Sequence, residues 1–382
     1  MKFPLFFLFL YAITFERWLD VGIASLRFSN LVAVIFILSF FRETLAILKA
    51  EANVFIIYIY IILAIVMNDL YVQANTSDIL ISIFFHIISM INFIFFFSLF
   101  SKNDFNFPKF CLVIGFSLLI YKNEELFFTS YKIVEENYFQ ARISEAISYL
   151  AIGISFFLIH KSRTILAYIL LLSTFLLFFN TGTRSFSFII FSTLIMFYYT
   201  GNVKIKFHSF FLIILLSTFF IMIGLFLFKS EIINTIIVAR IDTFSSLMHF
   251  FNTFPVGIGS GGIVNLLPYR IALSNFFELP LALIVDSASN LNYSTAHSFV
   301  VGALFKHGLL TLLPIIYFLF NIFNLNIKMI TYNELSNEQR LISIFIFCYT
   351  VYNILFSGYG KFLIEFPLFY AATLSMYRRI KF

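Results

Sequence analysis

Apolar runs separated by short polar stretches organise most of the chain. They fall at about 3–15, 26–41, 52–67, 79–100, 107–121, 143–159, 164–180, 183–200, 207–228, 299–325, 341–356 and 360–376. A helix needs roughly 17–25 residues, at about 1.5 Å each, to cross the hydrocarbon of a bilayer. The pattern therefore predicts an all-α, polytopic membrane protein with about 12 transmembrane helices (roughly 10–14). Several runs are a little short and must borrow interfacial residues or re-enter. The opening MKFPLFFLFLYAITF has the basic residue and apolar stretch of a signal peptide. It lacks a small-x-small cleavage site and is read as a retained first helix.

One region breaks the rhythm. Residues 229–298 form a long polar-rich segment between two runs, where unstructured loops beyond about 12–15 residues are uncommon unless functional. Ile237, Ile241, Phe244, Leu247 and Met248 recur there at three- and four-residue spacings and predict a loop helix. Pro255 and the glycines at 257, 259, 261 and 262 stop it. Three units follow: transmembrane helices over 1–228, a partly helical loop over 229–298, and transmembrane helices over 299–382.

Composition agrees. The chain is 61% hydrophobic and 12% charged, too little polar side chain to cover a soluble surface, which normally carries about 25% charge. The net charge of +6 does not point to nucleic acid, because many Lys and Arg residues sit in short linkers and mark topology. RETLAILKAE (42–51), SKND, HKSR, GNVKIK, the stretch from Lys328 to Arg340 and the tail YRRIKF fall on one side. NDLYVQANTSD (68–78), without a basic residue, falls on the other. The bias puts both termini in the cytoplasm and the long loop outside. Cys111 and Cys348 lie inside apolar runs and make neither a disulfide framework nor a metal site. The 58 phenylalanines suit helix interfaces and lipid contact.

Some polar groups are not absorbed by this account. Arg184 opens an apolar run in TGTRSFSFII on the non-cytoplasmic side, where topology does not explain it and a guanidinium is costly unless paired or in a wet cavity. Its small neighbours leave room for an anionic head group. Arg240 lies in the loop helix two residues before Asp242, where a surface ion pair worth little is the plain alternative. The turn PVGIGSGG offers backbone N–H groups to an anion but lacks the lysine and the setting of a nucleotide loop. His297 and His307 are about 15 Å apart along a helix and about 80° apart around it, too far to share a metal. His297, at the edge of an apolar run, is a candidate proton acceptor; His307 is a packing or hydrogen-bonding residue.

Taken together, the elements resemble the O-antigen polymerases and O-antigen ligases, a Wzy/WaaL-like family of integral membrane proteins. The likeness rests on TGTRSFSFII with Arg184, on ARIDTFSSLMHFFNTFPVGIGSGG with Arg240, Pro255, Gly257 and Gly259, and on HSFVVGALFKHG with His297, Ser298 and Gly308. It covers roughly residues 160–325. Thr183-Arg184-Ser185 departs from the family's frequent Ser-Arg-Gly, with the arginine retained. The resemblance implies a GT-C-like, metal-independent, inverting glycosyl transfer at the periplasmic face of a bacterial inner membrane, with no cofactor. The donor would be an oligosaccharide on undecaprenyl pyrophosphate, with a repeat-unit flippase and a chain-length regulator as partners besides membrane lipids. Arg184, Arg240 and, more weakly, Arg270 would hold the pyrophosphate. His297 would be the base, with Gly257, Gly259, Ser298 and Gly308 supporting. A polymerase is the first expectation, a ligase onto lipid A–core the second, and a carrier of lipid-linked sugar the third.

Overall fold

The structure, a computed structural model, describes residues 2–14, 18–20, 25–102, 106–128, 136–180, 184–202, 230–262, 264–277, 298–332, 335–356 and 359–381. They are helical apart from connecting turns and one short antiparallel ribbon, β1 (Trp18–Asp20) with β2 (Ser25–Arg27). The helices are α1 (Lys2–Ile13), α2 (Phe28–Ser39), α3 (Phe41–Ala50), α4 (Ala52–Tyr71), α5 (Thr76–Lys102), α6 (Asn106–Phe128), α7 (Glu136–His160), α8 (Thr164–Asn180) and α9 (Arg184–Asn202). After a gap come α10 (Ser230–Thr253), α11 (Leu267–Phe277), α12 (Phe299–Thr331), α13 (Asn337–Phe356) and α14 (Tyr359–Lys381). The apolar run at 207–228 lies outside the described residues.

By length and apolar composition, four of the described helices can cross a membrane: α4, α5, α7 from Ile143 onward, and α12. The bent pair α2–α3 makes a fifth if it is one span, and α6, α8 and α9 contain shorter apolar stretches. This is a membrane protein. The 95° bend after α2 makes a helix of the stretch expected to be a basic linker. α3 alternates Phe41 and Leu45 with Arg42, Glu43 and Lys49, a composition suited to a bilayer interface.

Aromatic rings fill the seams between helices. Tyr11 stacks on Phe95 at 4.9 Å, Phe36 meets Phe95 edge-on at 5.1 Å, and Phe318 packs on Phe366 and Tyr370 at 5.4 and 5.5 Å. Lipid tails are as apolar as these rings, so the gain comes from close packing and pair geometry, about 0.5–1.5 kcal/mol per pair. Buried polar pairs add specificity: Asn92 donates to Asn30 at 3.1 Å and Asn326 to Thr373 at 3.2 Å.

The bundle has two distinct ends. One collects paired charges: Lys102 with Glu43 at 2.5 Å, Arg378 with Glu51, and His160 with Glu338 at 3.3 Å. There Arg379 also caps Phe100 O at 2.8 Å, and Arg340 reaches Thr200 O at 3.1 Å. At the other end α4 finishes, α5 begins, and the turn after α10 is docked. α12 is broken near that end. Gly308, at φ 72° and ψ −174°, divides it into a first segment, 299–307, and a second, 309–331. The second is about 34 Å long at 1.5 Å per residue, enough to cross a membrane alone.

Candidate functional site

The break in α12 explains why Pro255-Val256-Gly257-Ile258-Gly259 has its composition. At a helix break, carbonyls at the end of the first segment and N–H groups at the start of the second lose their partners. The turn supplies several of them. Ile258 N–H and Gly259 N–H donate to Phe305 O and Lys306 O, both at 2.8 Å, and Leu309 N–H donates to Pro255 O at 3.0 Å. Asn68, near the end of α4, closes the junction by donating to Lys306 O at 3.3 Å and accepting Gly257 N–H at 2.9 Å. Asp69 accepts Ser260 N–H at 2.9 Å.

Two glycines are obligatory there. A Cβ on Gly257 would sit 2.5–2.6 Å from backbone atoms of Lys306, His307 and Gly308. At Gly308 the backbone lies in a region that essentially only glycine occupies. These contacts correct one expectation. The N–H groups of residues 257, 258, 259 and 260 are donated inside the protein, so the turn is a splice between helices and not an anion-binding nest.

The sequence-predicted residues fall into place unevenly. His297 lies outside the described residues, as do the side chains of Arg184 and Arg240; the backbones of both arginines are helical, in α9 and α10. Ser298 directly precedes α12, and its hydroxyl donates to Ile354 O near the end of α13 at 3.1 Å. α9 and α13 run antiparallel: Arg340 reaches Thr200 at one end, and the rings of Phe186 and Tyr352 lie 6.5 Å apart at the other. The start of α9 at Arg184 and the start of α12 at Ser298 are thus both level with the last turns of α13. The sequence places these residues 114 positions apart (298 − 184).

Arg270 opens a different picture. It lies on α11, an element with no sequence forecast, is 2% exposed, and pairs through Nη2 with Asp242 of α10 at 2.5 Å. The carboxylate weighed as a partner for Arg240 is engaged by Arg270. Nε and Nη1 of Arg270 are buried without a hydrogen-bond partner, so the guanidinium keeps unspent donors.

Three more residues join the site that sequence reasoning passed over. His249 of α10 takes Tyr269 as hydrogen-bond partner at 3.2 Å, and its ring lies 5.6 Å from that of Phe305 in the first segment of α12. Burial pushes its imidazole below its usual value. Its signal was its position in the last two turns of the loop helix, six residues before the proline. Glu365 of α14 is buried and accepts Asn353 Nδ2 at 2.6 Å and the Tyr349 hydroxyl at 3.4 Å. Glu145 of α7 is buried too. The contacts His160–Glu338 and Tyr149–Tyr349 make α7 antiparallel to α13, which sets Glu145 level with Asn353. Both glutamates therefore stand at the height of the α9 and α12 starts. An ionisable group inside a membrane bundle marks a functional position by default.

His307 is buried with its ring 6.4 Å from that of His86 on α5, in keeping with a packing role. Beneath the start of α12, Tyr58, His86, Ser89, Phe299 and Phe318 line a cavity of about 20 Å³, room for about one water molecule. Among the described residues, no group of three or more His, Cys, Asp or Glu is placed to hold a metal ion.

No family model, no curated protein and no solved structure matches the chain. Function is read from its own residues.

Proposed function

We propose that the protein is a polymerase of lipid-linked oligosaccharide repeat units. It would transfer the growing glycan from undecaprenyl pyrophosphate to the non-reducing end of a new lipid-linked unit, in the synthesis of O-antigen, capsule or exopolysaccharide. The observation that supports this reading is the common level of the Arg184-bearing helix start, Ser298 directly after His297, and two buried glutamates, all beside the last turns of α13. About twelve spans in a GT-C-like arrangement, with that end facing the periplasm of a bacterial inner membrane and both termini in the cytoplasm, complete the proposal. The charge pairs at the opposite end suit this orientation.

The chemistry suits the residues. Pyrophosphate is already a good leaving group, so cations that hold developing charge are the main requirement. Arg184 and Arg240 fill that role, and the free donors of Arg270 add a third contact. His297 takes the proton of the acceptor hydroxyl as its oxygen attacks the anomeric carbon and the C–O bond to pyrophosphate breaks. Attack opposite the leaving group inverts that carbon.

One observation favours a carrier of lipid-linked sugar instead: α12 is broken, as helices at transporter binding sites often are. Here backbone groups at the break are occupied by the protein's own turn, which leaves the enzyme reading ahead. The acceptor decides between polymerase and ligase. Purified protein given only lipid-linked repeat units should make a ladder of glycan lengths. Transfer that begins only when lipid A–core is added would assign the ligase.

A further inference from the structure

Two helices that finish side by side at the charged end of the bundle leave a cavity between their last turns. Phe318 of α12 packs on Phe366 and Tyr370 of α14, and further along Asn326 bonds to Thr373. α12 and α14 therefore run in the same direction and end together. Lys328, Met329, Thr331 and Tyr332 at the end of α12, with Tyr377 and Ile380 of α14, line a cavity of about 490 Å³. That volume lies within the range of about 300–1,000 Å³ usual for small-ligand sites.

Its depth and its approach suit a lipid. Lys328 lies about 30 Å beyond Gly308 along the second segment of α12, the thickness of the hydrocarbon layer. With the break at one boundary of that layer, the cavity falls at the other, at the level of head groups. The face of α12 leading to it is apolar and uncovered: Leu313, Ile316, Tyr317 and Phe320 are all exposed. At about 100° per residue, Lys328 and Thr331 stand within about 60° of Leu313 around the helix, on that same face. Asn324, between Phe320 and Lys328, begins the polar layer. The charge is available as well. Arg378 pairs with Glu51, Arg379 caps Phe100 O, and Arg340 is held by Tyr332 O and Leu335 O. Lys328 is exposed and has no ion-pair partner among the described residues. A lysine that only answered the helix end, or snorkelled to water, would need no cavity beside it.

We propose that this cavity binds the head group of an anionic phospholipid from the leaflet at that end, with Lys328 on the phosphate and the acyl chains along the exposed face of α12. Basic pockets between transmembrane helices on the cytoplasmic side take such head groups, which agrees with the orientation proposed above. The lipid ties the ends of α12 and α14 to the bilayer and plays no part in glycosyl transfer. The site stands whatever reaction the protein performs.

The test uses the purified full-length protein in detergent, titrated with phosphatidylglycerol or phosphatidylcholine of matched acyl chains, with bound lipid counted by native mass spectrometry. Phosphatidylglycerol should bind the wild type about fivefold more tightly than phosphatidylcholine, the value of one basic contact. Lys328→Ala should remove that preference and Lys328→Arg should keep it; the side chain is exposed, so neither threatens the fold. Ile380→Trp fills the cavity with every charge in place and should weaken binding of both lipids. Lys49→Ala, which removes an exposed charge of α3 at the same end, should bind as the wild type does. The assignment is overturned if the wild type binds the two lipids alike, if Lys328→Ala keeps the preference, if Lys49→Ala loses it equally, or if Ile380→Trp binds in full. Displacement of the lipid by inorganic phosphate or glycerol phosphate at equal concentration would also overturn it, because the ligand would then be a free anion.

Discussion

At the residue scale, the difference between an arginine that holds pyrophosphate and one that braces helices is testable. A guanidinium gripping phosphate with two parallel bonds is not replaced by a lysine. Arg184→Lys should cut transfer by about 10–100-fold, the value of one or two charge-assisted hydrogen bonds, with the protein at its normal level in the membrane. For Arg270 the pair with the partly exposed Asp242 predicts a stability effect as well. Arg270→Ala should destabilise by about 1–3 kcal/mol, because it removes the partner of a half-buried carboxylate. Combined with Asp242→Asn it should cost less than the sum of the two, measured by thermal unfolding. His249 gives a pH dependence. Its folded imidazole titrates below the unfolded one, so the folded state binds fewer protons between the two values. Docking of α10 on α12 is therefore complete above about pH 6.5 and weakens as pH falls through the folded value. Hydrogen exchange in residues 241–253 should rise on acidification in the wild type and stay flat in His249→Gln.

At the element scale, the broken α12 is the feature on which the loop depends. Gly257→Ala would force a methyl into the backbone of residues 306–308, and Gly308→Ala would place a side chain at φ 72° and 2.8 Å from Pro255 O. Gly308→Ala should cost about 1–3 kcal/mol from backbone strain alone, and Gly257→Ala more. Both should loosen residues 255–262 to protease before the bundle unfolds. Part of this element was legible. The three- and four-residue spacing announced a helix, and α10 does end at Thr253, two residues before Pro255. The packed face does not follow that spacing: Ile241 is buried, as are Ser245 and Ser246, while Phe244 and Met248 are exposed. In a membrane protein small residues mark the contact and large apolar ones can face lipid, so periodicity finds the helix but not its inner face. α11 has too few apolar repeats to be forecast from spacing. Asn68 and Asp69 looked like ordinary loop residues, because the backbone they hold lies 189–238 positions further on. Glu145 and Glu365 were hidden for the same reason: each gains meaning only from helices distant in sequence.

At the scale of the whole molecule, the described helices give the bundle two unlike ends. Paired charges and the interfacial α3 occupy one end, the spliced turn occupies the other, and the Arg184 helix start and Ser298 lie level with the last turns of α13. That polarity, more than any single residue, makes glycosyl transfer at one membrane face the central claim. It is tested most directly by giving the purified protein in nanodiscs a labelled undecaprenyl-pyrophosphate repeat unit. Glycan length and released undecaprenyl pyrophosphate are then followed together. The account predicts a ladder with one pyrophosphate lipid released per bond formed, slowed by about 10²–10⁴-fold in His297→Ala without loss of the folded protein. Repeat units that stay unjoined in both the presence and the absence of lipid A–core, or a ladder that His297→Ala makes at the wild-type rate, would contradict it.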